Sequence, residues 1–158
     1  MPDVVSPAVR SRMMSGIKSS NTRPELLVRH NLHRLGFRYN LHDRKLPGTP
    51  DLAFPQFRAV IFVHGCFWHG HDCHLFKMPA TRSEFWQEKI ERNRFVDIRS
   101  LAALNELNWR CATVWECALK GRGKRPLAEV ISSLAHWLKS GNGFFETRGI
   151  SDAARPPV

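Results

Sequence analysis

The stretch Cys66-Phe67-Trp68-His69-Gly70-His71-Asp72-Cys73-His74 sets thiols, imidazoles and a carboxylate beside two aromatic rings. Thiolate and imidazole are the donors that tetrahedral zinc prefers, and a structural zinc site fills all its positions with protein. Cys66, His71 and Cys73 offer three such donors from one loop, which Gly65 and Gly70 mark as irregular. Cys117 is the candidate fourth donor, with His64 and His74 competing for that position. Cys111 lies in an apolar run and reads as a small core residue. Two disulfides are the alternative for the four cysteines, but the first residues lack the basic-then-apolar pattern of an export signal. In a reducing compartment, cysteines interleaved with histidines are metal ligands or buried thiols.

Charge points to the partner. Lys and Arg total 24 against 14 Asp and Glu, a net charge of +10 and a pI near 10.2. Such a surplus attracts a polyanion, and counterion release makes phosphate binding favourable and salt-sensitive. A solvated basic surface, or a basic protein of the ribosomal type, is the bland alternative. Phosphodiester hydrolysis needs charge neutralised at phosphorus and a base to activate water, tasks suited to a carboxylate-held divalent cation and an imidazole. Pro50-Asp51, opening a short strand after a tight turn, resembles the first half of the restriction-endonuclease pattern. The second half is degenerate, with Phe62 and His64 at its acidic and lysine positions.

The elements that must position these residues are readable. At 158 residues the chain has room for one compact domain. Residues 1–20, with Arg10, Arg12 and Lys18, read as a basic arm contacting DNA, and residues 21–140 as the catalytic domain. Thr22-Arg23-Pro24-Glu25 predicts a capped helix start, and Gly36 its stop. Phe37–Leu41, Asp51–Phe54 and Arg58–Val63 predict strands, the last apolar on both faces and so central. Thr81-Arg82-Ser83-Glu84 predicts a capping box opening a long helix through Phe85, Ile90, Val96, Ile98, Leu101, Leu104 and Leu107. Trp109–Trp115 predicts a further strand and Pro126–Leu138 a final helix, leaving residues 141–158 as a flexible tail. The order predicts an α/β or α+β sandwich with a small mixed sheet flanked by helices, and of these the α/β arrangement is the expectation. No run approaches the length of a membrane span, and the expected location is the cytoplasm.

The run IFVHGCFWHGHDCHLFKMPATRSEFWQEKI closely resembles the very-short-patch repair (Vsr) endonucleases. The later WRCATVWECAL and the preceding Leu-Pro-Gly-x-Pro-Asp turn extend the resemblance over most of residues 8–125. It implies a restriction-endonuclease-like core with a structural zinc site. It also implies Mg2+-dependent nicking of the strand carrying T in a T:G mismatch, 5′ of that T, where 5-methylcytosine has been deaminated. By the same resemblance Asp51 is the aspartate that holds Mg2+, and the backbone carbonyl of Val63 is its second protein ligand. Many relatives carry Thr where Val63 stands, a departure of little consequence if only the carbonyl binds. His69 is then the general base and Asp97 its orienting carboxylate, with Glu25 and His64 supporting the site. From the residues alone, Glu25 reads equally as a helix cap and Asp97 as an exposed helix carboxylate.

Aromatic rings on a metal-stiffened loop suit insertion beside a mismatched pair, where unstacking is cheapest. The resemblance assigns Phe67, Trp68 and Trp86 to this wedge; for Trp86, core packing is the competing reading. Lys77, Arg82, Lys89, Arg92 and Arg94 are candidate phosphate contacts. The expected partners are double-stranded DNA with a T:G mismatch and mismatch-repair proteins, with no membrane, the chain acting as a monomer. A zinc-stabilised DNA-binding module without catalysis, and a nuclease of matched duplexes, are the competing functions.

Overall fold

The computed structural model describes residues 21–150; the arm expected over residues 1–20 and the chain from 151 onward lie outside the described residues. Helix α1 (Arg23–Arg34) opens on Thr22, whose hydroxyl accepts the Glu25 N–H at 3.4 Å. It closes as its sequence predicts. Gly36, at φ 99°, takes the left-handed conformation, and the N–H groups of Gly36 and Phe37 return to the carbonyls of His33 and Leu32. Strands β1 (Asn40–Leu41), β2 (Leu52–Phe54) and β3 (Ala59–His64) follow, then helix α2 (Ser83–Glu106), strand β4 (Arg110–Trp115), helix α3 (Leu127–Ser140) and strand β5 (Phe145–Thr147).

The five strands form one sheet in chain order, antiparallel from β1 to β3 and parallel from β3 to β5. The mixed α/β architecture expected from the sequence is thus present. Alternation along the central strands divides the core. Ile61, Ala112 and Val114 face a cluster with Val28 and Leu32 of α1 and Leu134 and Leu138 of α3. Val60, Phe62 and Cys111 face the opposite side with Leu104 of α2. Cys111 is therefore the core residue its apolar context predicts. Fully burying each such Leu or Ile side chain contributes roughly 1.5–3 kcal/mol. Arg110 locks α3 to the sheet, donating to the carbonyls of Trp137, Leu138 and Gly141 at 2.8, 3.0 and 3.1 Å, at the end of the helix where carbonyls run out of intrahelical donors.

Several expectations need correction. The capping box at Thr81–Glu84 is not how α2 begins: Arg82 occupies the cap position at φ 57° and no side chain caps the helix. The apolar stripe expected along α2 is only partly buried. Ile90 and Leu104 are enclosed, whereas Phe85, Val96, Ile98 and Leu107 are exposed, because the sheet reaches only part of this 24-residue helix. The segment from residue 141, read as flexible, supplies β5, which pairs with Ala112–Val114 of β4 and leads the following residues to the cysteine cluster. Among the described residues no helix is long and apolar enough to cross a membrane.

Candidate active site and metal centre

The site forms where β2, β3 and α2 converge on the loop after β3. Asp51 precedes β2, delivered by the turn that contains Gly48. Gly48 has φ 77°, and a Cβ there would meet the Ser100 Cβ at 2.6 Å, so the turn can lie against α2 only without a side chain. The Asp51 carboxylate accepts the Val63 N–H at 2.7 Å. Burial pushes the Asp51 carboxyl up to about 7; the Val63 N–H opposes this and the neighbouring Glu25 reinforces it. Glu25 is 1% exposed and points inward from α1, so its role is not confined to capping. Its oxygens receive Arg29, the Asn21 N–H and His42. Glu25, His42 and Asp51 bring one ligating atom each within 4.8 Å of one another.

Opposite lies an imidazole–carboxylate pair. His69 Nδ1 is 2.5 Å from Asp97 Oδ2, and the His64 ring stacks on His69 at 3.9 Å between centroids and 9° between planes. A carboxylate so placed favours the tautomer that carries its proton on Nδ1. Burial, with His69 alongside, pushes His64 down to about 3, so it is neutral at physiological pH. Its Nδ1 is buried without a hydrogen-bond partner. Asp51, Val63, His64, His69 and Asp97 line one cleft of about 170 Å³. The structure thus brings together all the residues expected at the catalytic site, with Glu25 joined to Asp51 behind it.

The loop that carries His69 is held by the cysteine cluster. Cys66, His71, Cys73 and Cys117 place their ligating atoms within 4.8 Å of one another. His71 faces the thiols through Nδ1, 3.5 Å from the sulfurs of both Cys66 and Cys117. Thiols and imidazole so disposed suit a tetrahedral soft cation, and no disulfide joins the cysteines. His64 and His74 are not in the cluster. Hydrogen bonding to Cys66 lowers the Cys117 thiol to about 5, while that same contact raises Cys66. Backbone N–H groups reinforce the sulfurs, from Cys117 to Cys66 at 3.3 Å and from Gly149 to Cys117 at 3.2 Å. Trp115 stacks on the His71 ring at 3.9 Å.

Phe67, Trp68 and Trp86 meet edge to face, with centroids 5.2 to 5.8 Å apart. Trp86 therefore joins the loop aromatics and not the sheet core. Asn93 of α2 ties this loop down by donating to the Trp68 carbonyl at 2.8 Å. Phe76 and Phe85 extend the cluster, against Phe67 and Trp86 respectively. Sequence reasoning placed Phe85 on the apolar stripe of the long helix and singled out neither Phe76, His42 nor the Arg148–Gly149 segment. The nearness of Phe76 to the cysteine–histidine loop in the chain was the available signal for that ring; His42 had none. Lys77, Arg82, Lys89, Arg92 and Arg94 are all exposed.

A mixed sheet presenting a carboxylate and an imidazole–carboxylate pair at one cleft, beside a cysteine–histidine cluster able to hold a metal ion, is an arrangement suited to hydrolysis of the nuclease kind. Residues 2–75 match the family described as DNA mismatch endonuclease Vsr. The chain is 43% identical over 152 residues to the DNA mismatch endonuclease Vsr of Escherichia coli, covering 95% of this chain and 97% of that protein. It is 50% identical over 123 residues to the type II nicking enzyme V.XorIIP of Xanthomonas oryzae pv. oryzae (78% and 90%). To the type II nicking enzyme V.NmeAIP of Neisseria meningitidis it is 39% identical over 122 residues (77% and 87%). The chain belongs to the Vsr family of DNA mismatch endonucleases and has that family's restriction-endonuclease-like fold. It is a DNA-nicking hydrolase of mismatch repair.

Proposed function

We propose that the chain nicks the T-bearing strand of T:G mismatches arising from 5-methylcytosine deamination, on the 5′ side of the T. The reading rests above all on the His69–Asp97 pair facing Asp51 across one cleft, on a loop that also carries Phe67 and Trp68. Phe67, Trp68 and Trp86 enter the duplex at the mispair, where the lost stacking is smallest. Lys77, Arg82, Lys89, Arg92 and Arg94 hold the flanking phosphates. His69 Nε2 takes the proton of a water as its oxygen bonds to phosphorus and the opposite phosphorus–oxygen bond breaks. Asp97 keeps the ring oriented and steadies the imidazolium that results. Neutral His64, stacked on His69, packs the ring from behind without adding charge.

Asp51 and the Val63 carbonyl are the proposed ligands of a catalytic Mg2+, with Glu25 in support. Their chemistry fits a hard cation: oxygen donors, one of them a carboxylate whose ionisation is resisted by burial and by Glu25. That cation supplies charge neutralisation on the phosphate and leaving oxygen. The metal of the cysteine cluster is proposed to be Zn2+, in a purely structural role. The deciding experiment incubates purified protein and Mg2+ with T:G duplexes and matched T:A controls, each strand labelled in turn, on a denaturing gel. A single nick 5′ of the mispaired T is expected. Cutting of matched duplexes, or mismatch binding without any cutting, overturns the reading in favour of a restriction-like nuclease or a binding module.

A further inference from the structure

Glu25 is 1% exposed, and a carboxylate buried so deeply requires partners for its oxygens. Arg29 Nη1 at 2.9 Å and the Asn21 N–H at 3.1 Å come from its own helix and the residues just before it. The third partner comes from the sheet. His42 follows β1 and sets its Nε2 3.1 and 3.0 Å from the two Glu25 oxygens. Its backbone N–H meanwhile donates to the Asp51 carbonyl at 3.0 Å. His42 holds φ at 48°, a conformation uncommon outside glycine, so the two contacts are made at some backbone cost. One residue therefore grips the Glu25 carboxylate with its ring and the Asp51 backbone with its main chain. These two acidic residues and His42 bring one ligating atom each within 4.8 Å of one another.

We propose that His42 is a positioning residue of the catalytic cation site, its Nε2–H holding Glu25 at the spacing from Asp51 that a divalent cation requires. This rests on the reading of Asp51 as a ligand of the catalytic cation. His42 Nε2 is turned to the Glu25 oxygens, so the role proposed for the residue is exerted through that carboxylate. Hydrogen-bond partners of this kind orient ligands and typically change metal affinity about 10–100-fold.

His42→Asn is the informative substitution, because Asn tolerates a left-handed backbone while its amide is one bond too short to reach Glu25. His42→Gln places an amide nitrogen at the same number of bonds from Cα as Nε2. Three quantities are compared on zinc-loaded protein: the Mg2+ concentration for half-maximal nicking, Mn2+ binding by electron paramagnetic resonance, and mismatch-duplex affinity without divalent cation. His42→Asn is expected to weaken both cation measures about tenfold while duplex affinity and zinc content hold, and His42→Gln to restore most of the loss. Unchanged cation dependence in His42→Asn, or a loss that His42→Gln does not repair, overturns the proposal. Asp51→Ala separates the two levels. If it abolishes Mn2+ binding and nicking while His42→Asn alters neither, only the role of His42 falls. If it alters neither, the cation-site reading falls and the proposal with it. Should His42→Asn not fold, Glu25→Gln is measured instead, and unchanged Mn2+ binding there overturns the proposal equally.

Discussion

Asp51 stands where a carboxylate resists ionisation, shielded from water and beside Glu25. Its folded value of about 7 lies above the ordinary 3.8. Between those values the folded protein keeps a proton that the unfolded chain has released. The stabilisation is therefore complete below the ordinary value and is lost as pH rises toward about 7. Asp51→Asn, in zinc-loaded protein without Mg2+, is expected to raise Tm by an amount that grows from about pH 5 to about pH 7 and then levels. A gain that shrinks as pH rises contradicts the assignment. The same substitution removes nicking while zinc content is retained. At the other wall of the cleft, Asp97→Asn leaves the His69 ring a partner that can donate to Nδ1, favouring the tautomer that lacks a lone pair at Nε2. Single-turnover nicking is expected to fall about 10²–10⁴-fold with mismatch affinity unchanged. Equal losses in rate and affinity point instead to a packing role for Asp97.

Among the elements, β5 shows what a short strand can do. It spans only Phe145–Thr147, yet it brings Arg148 onto Asp72 at 2.7 Å and Gly149 onto the Cys117 sulfur at 3.2 Å. A Cβ on Gly149 would meet the Cys117 carbonyl at 2.4 Å and the Gly123 carbonyl at 2.9 Å, both backbone atoms with little freedom to retreat. Gly149→Ala is expected to destabilise the fold by about 1–3 kcal/mol and to hasten zinc release to a chelator, measured by melting and by a colorimetric metal indicator. Unaltered release shows that this segment does not brace the centre. The sequence made α1, β3 and the metal loop legible because each carries a local rule: a cap with a glycine stop, a continuous apolar run, donors at close spacing. It left β5 unread because three residues offer no periodicity and the strand exists only through its pairing with β4. It left His42 unread because a lone histidine after a two-residue strand gains meaning only once α1 lies against it. The reach of α2 beyond the sheet was hidden for a similar reason, since apolar residues at helical spacing do not disclose where their support ends.

For the molecule as a whole, the net charge of +10 is a measure of how it holds DNA. If the five exposed cations Lys77, Arg82, Lys89, Arg92 and Arg94 each neutralise one phosphate, they contribute a slope of about −4.5 in log affinity against log salt. Replacing Lys89 and Arg92 by Gln is expected to flatten that slope by about 2 and weaken matched and mismatched duplexes alike. An unchanged slope places the phosphate contacts elsewhere.

Phe67, Trp68 and His69 are consecutive. On the proposed reading, the rings that sense the mispair and the group that activates water are therefore joined by peptide bonds, with neighbouring Cα atoms about 3.8 Å apart. The offset between lesion and cut is then a ruler built into the covalent chain, and the cysteine cluster keeps that ruler from flexing. Domain motion or a sliding contact could not lengthen it. The nick should stay at one bond whatever the flanking sequence, and a residue inserted between Trp68 and His69 should forfeit cutting altogether rather than shift it along the strand.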